Sequence, residues 1–297
     1  MPIEFGSPDI SGVALGEPFG YRALCEFLGL DDCPDPIMND DSRVVLNTDE
    51  RIMRRFGADL RWVLPGGAFE TEPLADGNLR DPVWGFVMTM SGAFTGYLDE
   101  NAPPRHAHSA RDIEAFSYWP DGSDSSVWAE KREEARAFQE AGYATVASPG
   151  RAAAIFHNYS FLRGFDQWLI DMLDDPGLYH ALAERILGAD IAYMRGFLTE
   201  VADYVDIVHM ADDMAMQSTT FTSLEHYRTF CKPYQARWIT AGKGVGPQRP
   251  DPLSHVWRRG ATRRRFRRHR RRCPQPHPAS RARHGRAVGS SASTMPH

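Results

Sequence analysis

Val205-Asp206-Ile207-Val208-His209-Met210 runs directly into Ala211-Asp212-Asp213, a short β-branched stretch that stops on two adjacent carboxylates. A run of this length and composition reads as a buried strand, and its surroundings read as helices. Upstream, Asp174-Asp175-Pro176 offers an N-cap and a proline at the first helical position for a helix over residues 176–201. Before it, Ile155, Phe156, Tyr159, Leu162, Trp168, Leu169 and Met172 form one broad apolar face of a helix expected over 152–173. Further upstream stand a second β-prone run, Tyr143-Ala144-Thr145-Val146-Ala147, and a helix over 126–141 closed by Gly142. Downstream, Ser223 can cap a helix carrying Leu224, Tyr227, Phe230, Tyr234 and Trp238 on one face, with Pro233 kinking or dividing it. This alternation is the cadence of a parallel α/β fold.

Toward the N-terminus the signals are shorter. Ile3-Glu4-Phe5-Gly6 predicts a strand, and residues 20–29 a helix with Leu24, Phe27 and Leu28 inward and Gly29 at its end. A second helix is expected over 48–56, capped by Thr48 with Arg51 and Arg54 outward. Residues 62–95, rich in Gly, Pro, Val, Phe and Trp, predict strands and hairpins.

The 297 residues carry a net charge of -5, which hides two opposite regions. Residues 249–297 hold 14 arginines and a single acid, Asp251, while the rest of the chain has 20 basic against 38 acidic residues. An acidic body joined to a basic tail is an unusual pairing within one domain. Cys25, Cys33, Cys231 and Cys273 have neither zinc-knuckle spacing nor the density of a disulfide framework, so reduced thiols are expected. No apolar run spans a bilayer and the start has no signal-peptide pattern, so a cytoplasmic address is expected, without membrane partners. The chain has no glycine-rich phosphate loop, Gly-x-Ser-x-Gly elbow or His-Glu-x-x-His, which argues against nucleotide-dependent, serine-hydrolase and zinc-protease chemistry.

Carboxylates directly after a parallel strand stand where such folds build their active sites, so Asp212 and Asp213 are the candidate catalytic pair. His209 and Gln217 lie close enough in sequence to join them in binding substrate. The competing reading makes the aspartates loop or helix-cap residues and His209 a packed core histidine. Tyr159 and Trp84 are candidate cleft walls; Tyr159 also falls on the apolar stripe, and Trp84-Gly85-Phe86 also reads as an ordinary hairpin.

These stretches resemble the uroporphyrinogen decarboxylase family, which includes the decarboxylase and the cobalamin-linked methyltransferases. The resemblance rests on Asp81-Pro82 with Trp84-Gly85, on Leu162-Arg163-Gly164-Phe165-Asp166-Gln167-Trp168, and on Val205-Asp206-Ile207-Val208. It rests most on Ala211-Asp212-Asp213-Met214-Ala215-Met216-Gln217, then Ser223-Leu224-Glu225-His226-Tyr227-Arg228 and Lys232-Pro233. Ala211 and Ala215 stand where the family has glycines, and Leu224 where it has proline. The resemblance implies an α/β fold of the (β/α)8 TIM-barrel type with its cleft at the carboxyl ends of the strands. It leaves two activities open. The decarboxylase branch takes a tetrapyrrole bearing many carboxylates and carries an Arg-Gln-Ala-Gly-Arg-Tyr signature. The methyltransferase branch uses zinc, held partly by a His-x-Cys pair on a later strand, together with a corrinoid protein partner. Neither signature is in the printed sequence, and corrinoid-linked methyl transfer is the favoured ancestral activity.

The arginine run changes what is expected of the C-terminus. Residues 1–246 read as a partial, incomplete barrel, and 247–297 as a disordered, non-native tail. A one-nucleotide frame shift near Pro247 accounts for it, because the shifted reading from Gln248 can spell a His-x-Cys-Gly-Gly strand. The rival is an arm that binds nucleic acid non-specifically through its arginines, though only Trp257 and Phe266 could stack on bases. An inactive truncated product is the expectation outside the enzyme class.

Overall fold

A computed structural model of the chain describes residues 3–6, 13, 20–39, 44–67, 69–91, 94–97, 104–215 and 218–245. The sequence expectations for Gln217 and for the tail from 247 lie outside these residues. The first elements are α1 (Tyr21–Phe27), β1 (Met38–Asn39), β2 (Val44–Val45), α2 (Glu50–Arg55) and β3 (Leu60–Val63). Then come β4 (Glu72–Pro73), β5 (Leu79–Arg80), β6 (Val87–Ser91), β7 (Phe94–Tyr97), α3 (Ala110–Ala115) and α4 (Ala129–Glu140). After β8 (Ala144–Ala147) follow α5 (Ile155–Arg163), α6 (Phe165–Asp174), α7 (Pro176–Val201), β9 (Ile207–Val208), α8 (Leu224–His226) and α9 (Lys232–Lys243).

The fold is mixed α/β around a parallel sheet ordered β3-β8-β9. Leu60 through Val63 pair with Ala144 through Ala147, and Val146 and Ala147 pair with Ile207 and Val208. All three strands therefore point their carboxyl ends the same way. Between β3 and β8 the chain inserts an antiparallel sheet, β4-β5-β6-β7, which meets the expectation of hairpins over 62–95. Within that insertion Asp81 accepts from the backbone N–H groups of Val83 and Trp84 at 2.9 and 2.6 Å, so Trp84-Gly85-Phe86 is a tight turn into β6.

Helix α7 organises the main core. Tyr179, Leu182, Ile186, Met194 and Phe197 on its inner side are fully buried with Phe156, Tyr159 and Trp168 from α5 and α6. Asp175 caps it by accepting from the Leu178 N–H at 2.9 Å, with Pro176 in the first turn, as the sequence predicts. Ser223 likewise accepts from the His226 N–H, and a π-turn over Tyr227–Cys231 separates α8 from α9 just before Pro233.

Several expectations need correction. Residues 152–173 form two helices rather than one, because Gly164 adopts φ +95° between them. A Cβ there would run into the Arg105 guanidinium. Asp49, not Thr48, caps α2, accepting from the Arg51 N–H at 2.8 Å. Ile3-Glu4-Phe5 is not a strand; its tie to β3 is through Asp59, whose N–H donates to the Ile3 carbonyl at 2.8 Å. Phe27 is 84% exposed, whereas Leu24 and Leu28 pack, as expected, against a separate small core of Tyr21, Cys25, Val13, Val45 and Ile52. The strand after α7 covers only Ile207–Val208, leaving His209 to Asp213 free to turn toward the helices.

Candidate active site at the carboxyl ends of the parallel strands

The polypeptide leaves β8 and β9 at neighbouring points and brings their trailing residues together. His209, one residue past β9, donates its backbone N–H to the Ala147 carbonyl at 2.8 Å. Its imidazole Nδ1 lies 3.3 Å from the Ser148 hydroxyl and its ring meets Trp62 of β3 edge-on at 4.9 Å. His209 is thus packed among all three strands at their carboxyl ends, half-buried rather than projecting.

Asp212 crosses to α5. Its Oδ1 accepts from the backbone N–H groups of Phe156 (2.9 Å) and His157 (3.2 Å), and its Oδ2 from Ile155 (3.2 Å) and the Gln235 amide (3.2 Å). Ala154, the residue before α5, has no side chain able to cap, so this distant carboxylate supplies the cap. Burial pushes the Asp212 carboxyl upward, against the pull of the N–H donors and Gln235. The carboxylate also lines a cavity of about 450 Å³ between β9 and α9. Ile207, Val208, Met210 and Trp238 supply its apolar wall, and Asp206 and Lys243 supply further charge.

Asp213 parts from its neighbour. Its side chain is 82% exposed, with Oδ2 3.6 Å from His157 Nε2, and the His157 ring stacks on Phe161 at 5.5 Å. The two aspartates therefore serve different surroundings: one holds a helix end at the cavity wall, the other faces a histidine at the surface.

Tyr159 and Trp84 are placed in the core, and neither lines the cavity. The Tyr159 hydroxyl donates to Asp171 Oδ2 at 2.9 Å, and Trp84 packs edge-on against Trp119. Arg163 completes the Tyr159 cluster: Nε and Nη2 donate to Asp171 at 2.8 and 3.1 Å, and Nη1 to the carbonyls of Pro104 and Ala107 at 2.8 and 2.9 Å. The Leu162-Arg163-Gly164 motif is accordingly a buried clasp that anchors the loop before α3.

Sequence reasoning missed His157, Gln235, Trp238 and Asp190. His157 stands two residues before Tyr159 and Gln235 two residues after Pro233, but neither has a local pattern that points to a site. Asp190 lies inside α7 and could be found only by its burial.

Comparison with known proteins adds the family. A methyltransferase from Methanosarcina mazei superposes over 81% of this chain and 62% of its own, at 11% sequence identity and a TM-score of 0.44. The chain thus spans less than two thirds of that structure. No curated protein matches the chain. The model of the uroporphyrinogen decarboxylase (URO-D) family matches residues 97–262, more than half of the chain and past the boundary expected at 246. On that match, and with both carboxylates of the Asp212-Asp213 motif inside it, the chain belongs to the uroporphyrinogen decarboxylase family.

Proposed function

We propose that the chain derives from the methyltransferase side of this family, with the β9–α9 cavity taking a small substrate rather than a tetrapyrrole. The observation that carries this reading is the charge of the cavity: Asp206 and Asp212 against Lys243, on an apolar wall. A porphyrinogen bearing many carboxylates requires a cluster of guanidinium groups. The buried arginines of the described residues are committed elsewhere, Arg61 to Glu50, Arg151 to Asp81 and Arg163 to Asp171. Asp212 then orients the substrate from the cavity wall. Asp213 with His157, and His209 at the strand ends, are the proposed polar contacts beyond the cavity lining.

The proposal extends to architecture. Among the described residues β3 and β9 are the edges of the parallel sheet, which supports an incomplete (β/α)8 barrel. The decarboxylase of porphyrin biosynthesis is the alternative activity, and an inactive product the alternative outside the enzyme class. Zinc and a corrinoid-carrying partner would belong to an intact methyltransferase relative. Among the described residues no three His, Cys, Asp or Glu side chains gather as a metal set, so zinc is assigned to none of them and no step is routed through it. Among those residues, too, no helix is long and apolar enough to cross a membrane.

The test offers the full chain methylcobalamin with a small thiol, and separately uroporphyrinogen. Demethylation of the corrinoid that Asp212→Ala abolishes supports the reading. Porphyrinogen decarboxylation without methyl transfer overturns it, and inertness toward both favours the inactive product.

A further inference from the structure

Within reach of the Asp212 charge lies a second carboxylate, with no ion pair among the described residues. Asp190, in the middle of α7, is 0% exposed. Its Oδ1 has one donor, the Asn158 amide at a long 3.4 Å, and the same amide nitrogen also donates to the Arg151 carbonyl at 2.8 Å. Oδ2 has no hydrogen-bond partner among the described residues. Of the charged groups on the elements packed against α7, Asp212 is the one that acts on Asp190, and it repels. The cations nearby are engaged: Arg151 with Asp81, Arg163 of α5 with Asp171 of α6, Arg132 of α4 with Glu200, and Arg237 of α9 with Glu184. On α3, Asp112 accepts from Ser109, and on α5 His157 faces Asp213.

An ionised carboxylate without water, cation or full hydrogen bonding is among the costliest groups to bury, and it takes up a proton instead. Two neighbouring carboxyls in unequal surroundings divide their protons unequally. Asp212 has three backbone N–H groups, the positive end of α5 and an amide; Asp190 has one long amide contact. The proton therefore goes to Asp190.

We propose that Asp190 is held as the neutral acid in the folded protein, with its proton on Oδ2, and acts as a positioning residue that leaves Asp212 the one anion of the Asp190–Asp212 pair. Burial, with Asp212 adding repulsion, holds the Asp190 carboxyl well above the ordinary carboxylate range. Deprotonating Asp190 would add a second negative charge within reach of Asp212 and loosen the contact between α5 and α7. Its role rests on the reading of Asp212 as the site carboxylate, but its protonation is measurable without any substrate.

The experiment compares the full-length protein with Asp190→Asn, which keeps the shape and removes the titration. The unfolded chain gives up this proton near pH 4 while the folded chain retains it, so wild-type stability falls as pH rises from there toward the folded value. The ratio of wild-type to Asp190→Asn unfolding constants should therefore grow as pH rises above about 4, by about tenfold per pH unit until the folded carboxyl itself ionises. A ratio independent of pH overturns the proposal. If Asp190→Asn does not fold, infrared spectra of the wild type decide. A protonated-carboxyl band at pH 7 that resists deuterium exchange is expected, and its absence overturns the proposal. Neither readout depends on methyl transfer, so the functional reading can fail while this one stands.

Discussion

Asp212 Oδ1 accepts the Phe156 backbone N–H at 2.9 Å, so a residue past β9 caps a helix that begins 57 positions earlier in the chain. Removing it by Asp212→Ala leaves three N–H groups of α5 and the Gln235 amide without their acceptor. A loss of about 1–3 kcal/mol is expected from the cap and the hydrogen bonds together. Chemical denaturation of Asp212→Ala and Asp212→Asn checks it: the asparagine variant should recover part of the loss, because its amide oxygen can still accept.

Gly164 separates α5 from α6 at φ +95°. Gly164→Ala must place a Cβ in the left-handed region and against the Arg105 guanidinium, which is paired with Asp166 at 2.9 Å. A cost of about 1–3 kcal/mol is expected. Arg105→Ala in the same background should relieve the collision with the guanidinium and leave the backbone strain and the close approach to Asp166, which a double-mutant cycle would separate.

Arg163 and Asp171 are both buried and bonded to each other at 2.8 Å. Arg163→Met leaves Asp171 buried with only the Tyr159 hydroxyl and the Gln167 amide as donors. About 3–5 kcal/mol of destabilisation is expected. The combined Arg163→Met and Asp171→Leu change should cost less than the single one, as thermal unfolding would report.

Glu50 shows the opposite pH sign to Asp190. Burial pushes its carboxyl up, but Arg61 (2.8 Å), Arg54 (2.8 Å) and the Tyr143 hydroxyl (2.9 Å) outweigh it and hold it below the ordinary glutamate value. A lowered folded value means stability that is present above about pH 4 and lost as pH falls through the folded value. Glu50→Gln should therefore melt earlier than wild type at pH 7, with the gap closing below pH 4.

Much of the fold was legible because its signals are local. The Asp175-Pro176 start of α7, the Ser223 cap and the β-prone runs at β8 and β9 each depend on a few consecutive residues. Where a signal was ambiguous between neighbours, as with Thr48 and Asp49, only the backbone geometry chose. At Gly164 the apolar stripe runs on past a glycine whose positive φ breaks the helix, and periodicity alone does not register that break.

The sequence by itself determined the alternation of helix and strand, the placement of Asp212 and Asp213 after a parallel strand, and the acidic body with its basic tail. Only the tertiary structure decided that Asp212 is a helix cap on a cavity wall, that Asp213 faces His157, and that Tyr159 and Trp84 are buried. It also buried Asp190 completely, within reach of the Asp212 charge. The physical reason is range: capping signals and hydrophobic periods act over one or two turns, whereas the charge state of a carboxylate depends on groups that the chain brings together only when it folds.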